Sequence, residues 1–194
     1  VLFADIRDFT RITETKLPYD VVFLLNRYCR VMGEAIEAAG GRVDKFTGDG
    51  VMALFGLEND GPDACRQALA AARHMSTQLV ALNEALAPDL HAPLAMGVGV
   101  HFGPAIVGDM GDGRWRSLTA VGDTVNTASR LEALCKVYHC ELVVSDDLLA
   151  RAGARFQHAT PQEVEIRGRS APLTIHTFRS ARELPLRAEC RSED

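Results

Sequence analysis

The sequence lacks the features that would place it in several large classes of protein. Its five cysteines are odd in number and include no C-x-x-C pair, so they predict neither a disulfide framework nor a zinc site and favour a reducing, cytoplasmic setting. No apolar run approaches the ~20 residues of a membrane-spanning helix, and no signal-peptide pattern opens the chain. Lysine and arginine number 21 against 26 aspartates and glutamates. The resulting formal charge of -5 disfavours an extended nucleic-acid surface or a polybasic membrane contact.

What is present is an ordinary globular composition. The 194 residues are 47% hydrophobic, which is enough for one domain with a substantial core. The chain opens at Val1, within an apparent strand and without an initiator methionine. We therefore expect a catalytic or regulatory module of a longer protein, with the domain at residues 1–180 and a polar, loose tail at 181–194.

The stretch around which the chain is organised is residues 40–56, GGRVDKFTGDGVMALFG, which predicts two strands joined by a turn at 48–50. Lys45 precedes Asp49 by four positions, so this hairpin offers a cation and a hard oxygen ligand, which suit a nucleoside triphosphate and its metal. Alone, a Gly-Asp-Gly turn is more often an ordinary surface turn. The functional interpretation gains weight from a second carboxylate, Asp5, at the end of an apolar strand formed by residues 1–6.

The remaining elements follow from periodicity and turn residues. A helix is predicted from Pro18, with an apolar stripe at Val22, Leu25, Cys29, Met32 and Ile36, and further helices are predicted from residues 60–62, from Asp123 and over 146–152. Strands are predicted at 94–102, at 105–107 as its partner, at 142–145, and as a hairpin at 163–167 and 173–178.

Two local features of this pattern carry expectations. The strand at 94–102 has glycines at 97 and 99 on one face, so something should pack closely there. Trp115, the single tryptophan, lies in a polar arm at 108–116 and could serve an interface or fold back on its own domain. The order of elements predicts an α+β sandwich with a ferredoxin-like core and helices over one sheet face.

Three motifs together indicate a family. FADIRDFT at residues 3–10, KFTGD at 45–49 and VGDTVNTASRLE at 121–132 closely resemble the class III adenylate/guanylate cyclase catalytic domain, in order and spacing. The resemblance spans about Val1 to Phe178. It implies that Asp5, Asp49 and the carbonyl of Ile6 bind two Mg²⁺ or Mn²⁺ ions.

The resemblance also assigns the substrate contacts. Lys45 matches the position where adenylyl cyclases carry Lys and guanylyl cyclases Glu, which fits adenine because its N1 accepts a hydrogen bond. Many adenylyl cyclases have Asp at the position of Thr119. A Thr at this position resembles the class IIIb subgroup, which includes bicarbonate-responsive enzymes. The loop through Phe9 and Thr10 would hold phosphate oxygens with its amides, while the side chains of Arg7 and Asp8 face solvent.

A third group of residues is implied for the transfer step. Asn126 matches the residue that orients the ribose and Arg130 the one that stabilises charge on the α-phosphate, and their spacing of four puts them on one helix face. The family's phosphate-binding Lys lies in a turn that here reads Arg167-Gly168-Arg169. Arg167 is the candidate for the β- and γ-phosphates, although this departure from Lys leaves Arg169 open as well.

The resemblance therefore predicts an adenylate cyclase that converts ATP to 3′,5′-cyclic AMP and pyrophosphate. It also predicts a homodimer with two sites, each shared between subunits. No histidine falls within the motifs, so no protein general base is assigned, and His101 and His139 are expected to be structural or solvated. The alternatives are a guanylate cyclase, which Lys45 disfavours, and a non-catalytic nucleotide-binding regulator, which would be expected to have lost a metal Asp or Arg130.

Overall fold

The structure is a computed structural model that describes residues 1–14, 16–59, 61–112, 117–154 and 161–184. The strands are β1 (Leu2–Ile6), β2 (Arg42–Thr47), β3 (Gly50–Leu54), β4 (Met96–Val100), β5 (Ile106–Met110), β6 (Ser117–Val121), β7 (Leu142–Ser145), β8 (Gln162–Val164) and β9 (Leu173–Phe178). The helices are α1 (Phe9–Thr13), α2 (Pro18–Ala38), α3 (Gly61–Leu86), α4 (Asp123–Val137) and α5 (Asp146–Ala152).

One mixed sheet forms the centre of the fold. Its strand order is β2-β3-β1-β4-β7-β9-β8, and β4 and β7 run parallel while the other neighbours are antiparallel. In this order Asp5 on β1 pairs with Gly50 at the start of β3 and with Gly97 on β4. The predicted 40–56 hairpin is confirmed, and it brings its turn beside the end of β1.

The main hydrophobic core lies on one face of this sheet. Leu2, Ala4 and Ile6 of β1 point into it with the buried stripes of α2, α3 and α5. Of the predicted α2 stripe, Met32 and Ile36 are buried, and Leu25 and Cys29 pack against the core. Near the start of the helix, Leu24 and Tyr28 are buried instead of Val22, which is exposed.

The opposite face carries α4, which corrects the expectation that helices cover a single face. The glycines of β4 explain this placement, since a Cβ at Gly99 would lie 2.1 Å from the backbone nitrogen of Glu132. The prediction that something packs closely against the glycine face is therefore confirmed, and the packing element is α4. Leu131 and Cys135 of α4 fill a second, smaller core with Val143 of β7.

Two local predictions differ from the structure, and a third falls on residues that the structure does not describe. The strand after Gly103 pairs with β6 in a separate two-stranded sheet instead of with β4, because β1 and β7 already occupy both edges of β4. The segment after Asp8 forms the short helix α1 instead of a loop. Trp115 lies outside the described residues.

The packed domain extends past the predicted boundary at residue 180. Residues Ala181–Glu183 form a single 3-10 turn, and both Ala181 and Leu184 are buried. Arg73 on α3 donates hydrogen bonds to the carbonyl oxygens of Arg182 and Leu184. The start of the expected tail is thus part of the domain, while residues 185–194 lie outside the described part of the chain. Among the described helices, none has the length and apolarity needed to cross a bilayer.

Candidate active site

Two carboxylates meet where β1 ends beside the β2–β3 turn. Asp5 is half-buried, and burial raises its pKa to about 7, with the hydrogen bond and charge of Asp49 as the next causes and the charge of Glu132 after them. The Oδ1 atom of Asp5 is buried and has no hydrogen-bond partner among the described residues. Two acidic groups forced together in this way favour the binding of a proton or of a cation.

The donor set of this corner fits a divalent metal that prefers oxygen. Within the described residues no group of three His, Cys, Asp or Glu side chains converges, and the carboxylates that meet at this corner are those of Asp5 and Asp49. Ile6, the last residue of β1, supplies a main-chain carbonyl next to Asp5. Two carboxylates with a carbonyl and remaining positions for substrate phosphates are an arrangement typical of Mg²⁺ sites.

Arg7 does not face solvent, which corrects the expectation for this side chain. Its guanidinium lies against Gly97 and forms an ion pair with Glu132 on α4, with Nη2 at 3.1 Å from both the carboxylate and the main-chain oxygen. Gly97 has no side chain to fill that space, and the half-buried carboxylate of Glu132 gains a partner. Asp8 is exposed as predicted, and its backbone adopts a left-handed conformation with φ of 52° at the start of α1. Phe9 packs on the main core, whereas Thr10 is exposed.

The structure brings Lys45 and Thr119 together through a residue that the sequence analysis missed. Lys45 Nζ lies 3.2 Å from Oδ2 of Asp44, and Thr119 donates a hydrogen bond of 2.8 Å to the same oxygen. The Asp44 side chain is only 1% exposed, whereas that of Lys45 is 44% exposed. A buried carboxylate thus links β2 of the main sheet to β6 of the small sheet.

Helix α4 carries the residues predicted for the transfer step. Asn126 is exposed and Arg130 is half-buried, one turn apart on the same face. The Arg130 guanidinium lies against Gly168, where a Cβ would be 3.5 Å from its Nη1 atom. Arg130 is therefore next to the turn that contains Arg167, which is exposed.

Arg169 is held in a different place. Its Nη1 atom lies 3.1 Å from Oδ2 of Asp123 and 3.4 Å from Oγ1 of Thr127. It also approaches His101, which is buried and lies 2.8 Å from Ser145 Oγ through Nδ1. Burial, followed by the charge of Arg169, lowers the pKa of His101 to about 4. His101 is therefore structural, as expected, and His139 is exposed.

Comparison with known proteins identifies the family. The family model described as the adenylate and guanylate cyclase catalytic domain matches residues 1–179. The chain belongs to this family. An adenylate cyclase from Anabaena cylindrica is 31% identical over 187 residues, covering 93% of this chain and 36% of that protein.

Solved structures of nucleotidyl cyclases share the fold. The guanylyl cyclase Cya2 superposes with a TM-score of 0.82 at 31% identity, covering 91% of this chain and 88% of the other. The adenylyl cyclase CyaB from P. aeruginosa gives a TM-score of 0.73 at 27% identity, with coverage of 91% and 90%. The α+β cyclase fold predicted from the motifs is therefore confirmed. The chain spans about a third of the length of the Anabaena relative, and these cyclases include both adenylyl and guanylyl enzymes.

Proposed function

We propose that this domain is an adenylate cyclase that converts ATP to 3′,5′-cyclic AMP and pyrophosphate. The observation that carries the proposal is the convergence of Lys45 and Thr119 on Asp44. An ammonium donor beside a hydroxyl acceptor matches adenine, whose N1 accepts and whose amino group donates. Guanine presents the reverse pattern, a donor at N1 and an acceptor at O6, and would meet Lys45 with the wrong polarity.

The reaction closes a ring within one nucleotide. The ribose 3′-oxygen attacks the α-phosphorus, the bond to the bridging oxygen breaks, and pyrophosphate leaves as the 3′-hydroxyl proton is lost. Asn126 orients the ribose, and Arg130 places its positive charge where negative charge develops on the α-phosphate. Arg167 is our candidate for the β- and γ-phosphates, since it is exposed beside Arg130 whereas Arg169 is paired with Asp123. Main-chain amides from Asp8 to Thr10 hold phosphate oxygens. The expected contribution of the Arg7 amide is excluded, because that amide donates a hydrogen bond of 2.8 Å to the carbonyl oxygen of Ala95.

Asp5, Ile6 and Asp49 are the proposed ligands of two Mg²⁺ or Mn²⁺ ions. When bound, the metal ions would acidify the 3′-hydroxyl and neutralise the leaving pyrophosphate. The protein supplies the two adjacent carboxylates, and the buried, unpartnered oxygen of Asp5 supports this assignment.

We further propose that two copies of the chain form a head-to-tail homodimer with two shared sites, in which Asp5 and Asp49 of one chain face Lys45, Thr119, Asn126 and Arg130 of the other. Exposed apolar side chains support this assembly. Tyr19, Val22 and Phe23 lie on one face of α2 and are 88%, 55% and 54% exposed, and the cross-strand partners Ile106 and Val121 are also exposed. Exposed apolar side chains that share one face of an element are typical of subunit interfaces.

Product analysis tests the proposal directly. The purified chain is incubated with ATP or GTP and with Mg²⁺ or Mn²⁺, and the products are separated by chromatography. We expect cyclic AMP from ATP at a higher kcat/KM than cyclic GMP from GTP. The matched control is Asp49→Asn, which removes a charged metal ligand from a turn that tolerates an amide, so it should melt like the wild type and form no product.

Two outcomes would contradict the proposal. Preferential formation of cyclic GMP would favour the alternative, a guanylate cyclase, which is the activity named for the similar protein Cya2. A folded, dimeric wild-type chain that forms neither product would refute the activity.

Bicarbonate, suggested only by the Lys45 and Thr119 pattern, is tested as an added component of the same assay. A cytoplasmic location fits the ATP substrate and the free thiols of the four described cysteines.

A further inference from the structure

We infer that Asp44 is a positioning residue that determines the preference for ATP, because it fixes the hydrogen-bond polarity of Thr119 and the position of the Lys45 ammonium. The inference rests on the proposed function and adds a residue to which the motifs assign no role. Asp44 reaches the base only through its two neighbours and is not itself a catalytic residue.

A β-bulge explains how Asp44 and Lys45 come to lie together. Successive side chains of a regular strand point to opposite faces. Here Val43 pairs with Ala53 and Lys45 pairs with Met52, so Asp44 is an extra residue opposite this stretch of β3. A bulge re-aims side chains in this way and is often found beside active sites. The bulge therefore allows two consecutive residues to share a salt bridge of 3.2 Å.

The shared oxygen sets the polarity of the Thr119 hydroxyl. An ionised carboxylate only accepts hydrogen bonds, so the single hydroxyl proton of Thr119 is donated to Asp44 over 2.8 Å. The lone pairs that remain on Thr119 Oγ1 can accept from the amino group of adenine. Because its only proton is already donated to Asp44, the Thr119 hydroxyl cannot donate to the carbonyl oxygen of guanine. The hydrogen bond between Thr119 and Asp44 therefore discriminates against GTP.

Burial strengthens this arrangement. With its side chain 1% exposed, Asp44 is screened little by solvent, and Thr119 is itself buried. The Oδ1 atom of Asp44 has no hydrogen-bond partner within the described part of the chain. Among the described residues, the hydroxyl of Thr119 and the ammonium of Lys45 therefore stabilise this buried charge.

The test compares kcat/KM for ATP and GTP in variants that change this polarity. Asp44→Leu puts a larger, apolar side chain in place of the carboxylate, removes the acceptor and frees the Thr119 proton to donate to guanine. We expect the ratio of ATP to GTP kcat/KM to fall about tenfold, mainly through a higher KM for ATP. Adding Thr119→Asp to Asp44→Leu returns an acceptor-only group to the base and should restore the ratio. The control is Asp109→Asn on β5, the strand that pairs with β6. It removes one exposed carboxylate and should leave the ratio unchanged.

Each result bears on the inference separately from the proposed function. If the wild type forms no cyclic AMP, the proposed function fails first. If the wild type is active and Asp44→Leu lowers kcat/KM equally for both nucleotides, with no rescue by Thr119→Asp, Asp44 is only structural and the inference is wrong. Should Asp44→Leu fail to fold, Thr119→Val tests the same hydroxyl with Asp44 in place, and an unchanged ratio would overturn the inference.

Discussion

The contact between Gly99 and α4 makes a prediction that the structure allows to be worked out in detail. In Gly99→Ala the new methyl group would lie 2.1 Å from the backbone nitrogen of Glu132 and 2.5 Å from the carbonyl oxygen of Ala128. Backbone atoms cannot rotate away, so α4 would have to move outward by about 1 Å or more to restore ordinary contacts. We expect a loss of about 3 kcal/mol, the upper part of the usual range for overpacking.

This loss has two measurable consequences. For a domain of this size it corresponds to a fall in Tm of about 6–12 °C, which thermal unfolding monitored by circular dichroism detects. Because α4 carries Asn126 and Arg130, a shift of about 1 Å should also lower the rate of cyclic AMP formation about 100-fold at temperatures where the variant remains folded.

The control is a glycine-to-alanine change in open space. A Cβ at Gly108 on β5 would meet no atom within 4 Å, so Gly108→Ala should change stability by no more than about 0.5 kcal/mol. If Gly99→Ala had the same Tm as Gly108→Ala and retained full activity, α4 would not pack on β4 as described.

Three further predictions address the site and its surroundings. Mixing Asp5→Ala with Arg130→Ala subunits, each nearly inactive alone, should restore about a quarter of wild-type activity after demonstrated exchange, since half the dimers are mixed and half their sites intact. No recovery would mean that each site is built within one chain. Lys45→Glu with Thr119→Cys should raise the GTP to ATP ratio of kcat/KM, and an unchanged ratio would remove these residues from base selection. Burial lowers the pKa of His101 to about 4, below its unfolded value of about 6.5, so the unfolded state binds more protons between these pH values. Stability should therefore fall by about 2 kcal/mol from pH 7 to 4.5 through this residue, and urea unfolding of His101→Asn should lack that part of the fall.

The elements that sequence reasoning predicted well are those specified by local periodicity. The helix predicted from residues 60–62 is α3, and its apolar stripe from Ala68 to Leu86 recurs at helical spacing and is buried. The hairpin around Gly48 was also predictable, because turn residues separate two apolar runs. The pairing of β5 with β6 was not, because it depends on which edges of β4 are already taken. The position of α4 was predicted only in part. The glycine face of β4 indicated that something packs closely there, but it did not indicate that the packing element is α4.

The site was predicted as a set of motif residues, and its supporting contacts were not. Asp44 was missed because regular alternation puts it on the face opposite Lys45, and only the bulge, a register shift between strands, reverses that. Arg7 was expected in solvent because nothing local pairs with it, whereas its partner Glu132 is 125 positions away. Long-range ion pairs of this kind have no periodic signal in the sequence.

The division of the sheet into two faces explains why activity and stability should separate at this site. The largest buried cluster lies between the sheet and α2, α3 and α5. The proposed metal ligands Asp5 and Asp49 lie at one end of the sheet, and Asn126 is exposed on α4 across the other face. Replacing the Asp49 carboxylate by an amide therefore removes a charge without opening a cavity in the core. An Asp49→Asn protein that lost activity only because it unfolded would contradict this separation of the site from the core.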